Sequence, residues 1–243
     1  GRGVGFRFGY VNVDTAAAPS AHAAPAAPAA PSSSSARCGL NAFRDGHRNS
    51  PVRLPARLVP LPGGVLDRDY IFLNIGGTTF KEGWYNVNSQ RGIGLSEGRR
   101  EADVDVVRLM DHLEGIPDGA VGAVYASHTL EHASFGDGHL EDTLEEWRRV
   151  LRPGGLLLIS VPDLRTICQL YLQSGLSAQE KWTLTMMIYG AQSDEYDYHK
   201  VGFDESILTT FLRQAGFCGI ERTGSFNLFN DTSETAVKGV PIS

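Results

Sequence analysis

Cysteine is scarce in this chain. Its 243 residues include three, Cys38, Cys168 and Cys218, far apart and without a C-x-x-C pair. Neither a disulfide framework nor a zinc–thiolate site is signalled by that spacing. The plain reading is one tail thiol and two small core residues. Long apolar runs are missing as well. No stretch approaches the roughly 18 to 20 residues a membrane span needs. Lysine is absent from residues 1–60, which hold seven Arg and two acids, Asp14 and Asp45. Residues 61–243 hold fifteen basic and twenty-six acidic residues. The body is therefore acidic, a poor match to nucleic acid, whose binding rests largely on phosphate neutralisation.

What is present divides the chain in two. Residues 15–36, TAAAPSAHAAPAAPAAPSSSSA, are low in complexity. Such Ala/Pro/Ser sequence has too little bulky apolar surface to offset chain entropy, which predicts disorder. The Arg-rich, acid-poor, Ser/Ala-rich composition also resembles an organellar transit peptide, or a linker. Residues 1–64 are read as this N-terminal segment and 65–243 as one folded domain. A cytoplasmic or organellar location follows from that reading.

From about Val65 strand and helix signals alternate, as an α/β fold requires. Strands are predicted at 70–75, 84–88, 103–107, 121–126, 155–161 and 218–223. Leu140, Leu144, Trp147 and Leu151 form one apolar stripe, predicting a helix over 139–151. Arg152-Pro153-Gly154-Gly155 ends it, and the run Leu156–Val161 reads as a strand buried on both faces. Pro162-Asp163 opens a helix over about 164–174. Ser177-x-x-Glu180 is a capping box ahead of a helix over Ala178–Tyr189. Asp204 reads as the N-cap of a last helix, ending at Gly216.

The first strand, Tyr70–Ile75, stops at Gly76 and Gly77. Glycine lets backbone approach a ligand closely and tolerates positive φ. Ligands of open α/β sheets bind at the carboxyl ends of the strands. Only Thr78–Gly83 separates this strand from the next, too short for an ordinary helix. The pattern G-x-G-x-x-G is absent there, and no helix N-terminus follows to hold a pyrophosphate, so a nicotinamide oxidoreductase is excluded. Four segments carry polar groups in order: LNIGGTTFKEGWYNVN, IPDGAVGAVYASHTLEH, EEWRRVLRPGGLLLISVPDL and YDYHKVGF.

Together these segments resemble the class I S-adenosylmethionine-dependent methyltransferases, nearest to the methyltransferase type 11 group, over roughly residues 68–235. The resemblance implies a Rossmann-like, mostly parallel sheet of about seven strands with helices on both faces. It implies S-adenosyl-L-methionine as cofactor, with Asn74, Gly76 and Gly77 near its methionine part. At the end of the second strand the family places an acid on the ribose hydroxyls. This chain has Asn88, which offers one acceptor oxygen and predicts about ten-fold weaker binding. Asp111 stands near the family's adenine-binding acid, slipped by two residues. Ser127 and His128 follow the fourth strand as neighbours of the cofactor or substrate.

For chemistry, His199 is the expected base, oriented by Asp197, with His128 second. Glu131 and His132 read as packing and capping residues. A metal reading of His128, Glu131 and His132 has helical spacing but lacks a further ligand, so no metal is expected. The acceptor implied is a small molecule or glycan, through oxygen. A catalytically silent scaffold is the alternative.

Overall fold

The computed structural model describes residues 7–8, 70–89, 106–107 and 109–243. The low-complexity tract and the predicted 1–64 segment, apart from residues 7–8, lie outside them. In chain order the strands and helices are β1 (Arg7–Phe8), β2 (Ile71–Ile75), β3 (Trp84–Asn88), β4 (Val106–Val107), β5 (Val121–Ser127), α1 (His139–Val150), β6 (Leu151–Ser160), α2 (Leu164–Tyr171), α3 (Ala178–Tyr189), α4 (Glu205–Gln214), β7 (Arg222–Thr223), β8 (Ala236–Val237) and β9 (Val240–Pro241).

One sheet runs in the order β4-β3-β2-β5-β6-β1-β7. Its body is four parallel strands, β3, β2, β5 and β6. The two-residue β4 continues it in parallel at one side. The two-residue β1 and β7 close the other side, with β1 antiparallel to both of its neighbours. Among the described residues seven segments share the sheet, but four carry its length.

Successive side chains of a strand point to opposite faces, and this splits the core cleanly. Leu73, Ile75, Val87, Val124, Leu157 and Ile159 face one side, where they pack with Leu140, Leu144 and Trp147 of α1 and Leu208 and Leu212 of α4. Phe72, Trp84, Ala123, Tyr125 and Leu158 face the other. There Phe226, Leu228 and Phe229 cover them, from the connection after β7. Phe229 lies 4.7 Å from Tyr125 and 5.5 Å from Trp84, ring centre to ring centre. Among the described residues, no helical residue belongs to that second cluster. Among the described residues, aromatic side chains from a loop cover this face.

The predicted helix starts are met, while α1 ends at Val150 with Leu151–Gly155 already in β6, and α2 ends at Tyr171 rather than at 174. Asp163 accepts from the N–H of Thr166 and Asp204 from that of Ile207, at 3.2 and 2.9 Å, each an N-cap. Ser177 and Glu180 make the reciprocal capping box at 3.2 and 2.7 Å. The thiols depart from expectation. Cys168 is exposed on α2 and Cys218 half-buried, so the reading of two core cysteines fails for Cys168. Among the described residues, no helix is long and apolar enough to cross a membrane.

Candidate functional site

The order β3-β2-β5 marks a reversal. The chain leaves β2 for β3 on one side and returns to β5 on the other. Such a switch point opens a crevice at the carboxyl ends of the strands. Gly76 and Gly77 follow the end of β2, Asn88 ends β3, Ser127 ends β5 and His128 follows it.

Gly76 is exposed and its φ is +78°, in the left-handed region. Its N–H donates to the carbonyl of Val87 at 2.8 Å, tying the turn to β3. Thr129 lies across the switch point. Its hydroxyl donates to the carbonyl of Ile75 at 2.9 Å, and its side chain occupies the place a Cβ on Gly76 would take. A Cβ on Gly77 would fall on the amide of Asn74. Both glycines therefore have a local packing reason, and Gly76 is still exposed just past the end of β2.

Asn74 is held against the neighbouring strand. It is 2% exposed, and its amide donates to the side chain of Asn86, its neighbour on β3, at 2.8 Å. Asn86 in turn donates to the carbonyl of Thr79 at 3.3 Å. These two asparagines brace the helix-free connection between β2 and β3. Asn74 is thus a buried brace between the two strands.

Asn88 is also engaged. Its amide donates to the carbonyl of Gly76 at 3.3 Å, and its oxygen accepts from the N–H of Ser89 at 2.8 Å. An aspartate could not donate to Gly76 and would set a carboxylate oxygen against a carbonyl oxygen. Asn88→Asp, the change that would restore the family's acid, is therefore expected to cost about 1–2 kcal/mol of stability. It should bring no gain in cofactor affinity. Thermal melting and a cofactor titration check this; a ten-fold tighter complex at unchanged stability would refute it.

Asp111 is turned elsewhere. It pairs with His112 at 2.9 Å and with His139 of α1 at 3.3 Å. Burial works to raise its pKa, but the His112 hydrogen bond and the other partners prevail and hold it below the ordinary value. An open pocket of about 560 Å³ adjoins it, lined also by Asp118, Arg149, Leu151 and Pro153. Leu151 and Pro153 begin β6, so that pocket extends toward the amino ends of the strands. Asp111, the expected adenine contact, is engaged in this ion cluster against α1.

His128 has a φ of 50°, an unusual backbone for a non-glycine residue. Its N–H donates to the carbonyl of Ser160 at 2.9 Å, and Nε2 lies 2.7 Å from the hydroxyl of Ser243. Burial drives its pKa down to about 3, with His199 adding repulsion. Ser127 donates to Asp231 at 3.2 Å, and the phenol of Tyr125 donates to Asp231 at 2.9 Å. Burial, then the Asp231 charge, raises the pKa of Tyr125 well above that of an ordinary tyrosine.

The Asp197–His199 pair is not formed. Asp197 accepts from the N–H and hydroxyl of Ser193 at 3.0 and 2.8 Å, closing its own turn. His199 Nδ1 instead bonds the carbonyl of Met187 at 2.9 Å. The loop carrying it is docked on Glu131, whose carbonyl accepts from the N–H groups of Lys200 and Val201 at 2.8 and 3.3 Å. His199, His132, Glu131 and His128 meet there. The His132 and His199 rings stack edge-on at 4.8 Å. Glu131 Oε1 lies 3.4 Å from His128 Nδ1 and 3.9 Å from His199 Nε2. Glu131 is 1% exposed, and neither of its oxygens has a hydrogen-bond partner. Burial pushes its pKa up to about 8. Burial likewise lowers His132, and lowers His199 to about 4. The sequence reading assigned Glu131 to packing; only the docking of the 196–203 loop shows it as the centre of a cluster.

Residues 91–159 match the model of a family described as a methyltransferase domain. Over these residues the chain is similar to methyltransferase domains. Among solved structures, the chain is similar to a SAM-dependent methyltransferase from Archaeoglobus fulgidus, at 17% identity and a TM-score of 0.41, covering 63% of this chain and 62% of that one. It is also similar to a chain in the complex of the Haloferax volcanii Trm112 methyltransferase activator with a methyltransferase, at 15% identity and a TM-score of 0.38, covering 61% of each. The chain thus spans just over three fifths of either. No curated protein matches.

Proposed function

We propose that this chain binds S-adenosyl-L-methionine at the β2–β5 switch point and transfers its methyl group to a small-molecule or glycan hydroxyl. The supporting observation is the methyltransferase-domain match over residues 91–159 on a parallel sheet whose β2 ends in the exposed Gly76. The residues present fit the cofactor unevenly. The bare backbone of Gly76 and Gly77 suits its methionine part, with Ser127 and His128 on the facing strand. In this reading Asn88 would meet the ribose, and its amide is already shared between Gly76 and Ser89.

When bound, the cofactor supplies an electrophilic methyl sulfonium, so the protein's work is alignment, water exclusion and handling of the acceptor's proton. The acceptor side falls to the His128, Glu131, His132 and His199 cluster. His199 acts there without Asp197. The Met187 carbonyl fixes its tautomer and leaves Nε2 bare.

Isothermal titration with S-adenosyl-L-methionine, backed by thermal shift, tests the first step. Heat of binding and a raised melting temperature are expected at millimolar cofactor. Neither being seen would sink the proposal. One observation favours a second reading, a silent methyltransferase-like scaffold: the Asn88 amide is internally engaged where the family carries an acid. The same titration separates the two, since a scaffold gives no heat.

A further inference from the structure

Glu131 is the least comfortable residue of the described chain. A buried carboxylate normally collects hydrogen bonds or a paired cation, because desolvation costs several kcal/mol. Here both oxygens lack a hydrogen-bond partner, and the neighbouring basic groups are imidazoles. Those imidazoles are set in one particular way. His132 Nδ1 lies 3.1 Å from the carbonyl of Tyr198, and His199 Nδ1 lies 2.9 Å from that of Met187. A carbonyl only accepts, so each Nδ1 carries the hydrogen and each neutral ring leaves Nε2 with its lone pair. Metal-ligating histidines are held in this way, with the far N–H donated to a backbone carbonyl or carboxylate.

We infer that Glu131, His132 and His199 form a binding site for a divalent first-row transition cation, zinc or ferrous iron in character. Their ligand atoms all lie within 4.8 Å of one another. Zinc bonds of about 2.0–2.1 Å place tetrahedral ligand atoms roughly 3.3 Å apart, so the three side chains close by up to about 1.5 Å on loading. Two histidines and one carboxylate are a donor set used by open, catalytic zinc and iron centres, with positions left for water or substrate. The backbone bonds from Lys200 and Val201 to Glu131 bring His199 to the other two ligands before any ion arrives. His128 Nδ1, 3.4 Å from Glu131 Oε1, stands next to the trio as a neighbour.

The inference goes beyond the methyl-transfer reading, because ion binding needs neither cofactor nor acceptor. Where both hold, the loaded site gives the acceptor hydroxyl a Lewis acid that lowers its pKa. His199 is then a ligand and not a base.

The test uses the full chain without a histidine tag, stripped with a chelator and dialysed. Cobalt(II) is added while visible d–d absorption is followed, and zinc(II) is titrated calorimetrically. One equivalent of either ion is expected to saturate the protein, with the intense d–d bands of a four- or five-coordinate site. His132→Ala, His199→Ala and Glu131→Gln should each weaken binding by at least about a hundredfold, since even second-shell losses cost about 10–100-fold. His112→Ala, in the separate Asp111 cluster, should leave it unchanged. The wild-type readings do not depend on any variant folding. Wild-type protein showing no cobalt bands and no zinc heat overturns the inference. So does binding that survives all three ligand substitutions, or that His112→Ala abolishes.

Discussion

Trp147→Ala will lower stability by about 3–5 kcal/mol, the range for deleting a large aromatic from a core. Trp147 is fully buried on α1, packed in the larger of the two clusters that line the sheet. Its indole N–H also donates to the carbonyl of Met110 at 2.8 Å. Met110 belongs to the connection that leads into β5, and the same helix holds that connection at further points. Glu146 accepts from the N–H of Leu113 at 2.8 Å, and Arg149 donates to the carbonyl of Ile116 at 2.9 Å. The substitution therefore opens a cavity and releases the strand-entry loop together. Trp147→Phe separates the two effects. It keeps much of the volume and loses the N–H, so about 1–2 kcal/mol is expected. Denaturant midpoints at unchanged slope measure both. A loss below about 1 kcal/mol for Trp147→Ala would show that the core on this face is not held by the tryptophan.

The elements of this fold were legible because their signals are local. The stripe of Leu140, Leu144 and Trp147 and the caps at Asp163, Ser177 and Asp204 each lie within a few residues of what they specify. The helix-free connection after Gly77 was legible from its length alone. The cover of the second face was not. Phe226, Leu228 and Phe229 sit in a stretch without helical or strand periodicity, and their partners Phe72 and Trp84 are more than 140 positions away. The site divides in the same manner. Gly76 and Gly77 announce themselves by type. Asn74 looks like a ligand contact until Asn86 is seen beside it on β3. Asp197 and His199 are two positions apart in sequence, which invites a dyad. The loop instead turns Asp197 to Ser193 and aims His199 at Glu131, 68 positions back. Asp231, which takes hydrogen bonds from both Tyr125 and Ser127, had no signal beyond an N-cap residue type.

Gly76→Ala is the second large effect, about 3 kcal/mol. Part is backbone strain, since a φ of +78° costs a residue with Cβ roughly 1–2 kcal/mol. The rest is contact, because the new Cβ overlaps the Thr129 side chain. Thr129 cannot swing away freely, as its hydroxyl donates to the buried carbonyl of Ile75 at 2.9 Å. Breaking that bond costs about 1 kcal/mol or more. If the overlap is the cause, the two positions must couple. Thr129→Ala removes both the hydroxyl and the methyl, so Gly76→Ala should cost about 1–2 kcal/mol less in that background. Full additivity of the two substitutions would place the cost in the backbone alone. The same pair of variants probes the proposed cofactor site. The new methyl points toward Thr129, so in the Thr129→Ala background it fills the space left by that side chain and leaves the exposed backbone of Gly76 uncovered. Affinity for S-adenosyl-L-methionine should then recover together with stability. Affinity that stays low after stability has recovered would mean that the cofactor contact depends on Thr129 itself.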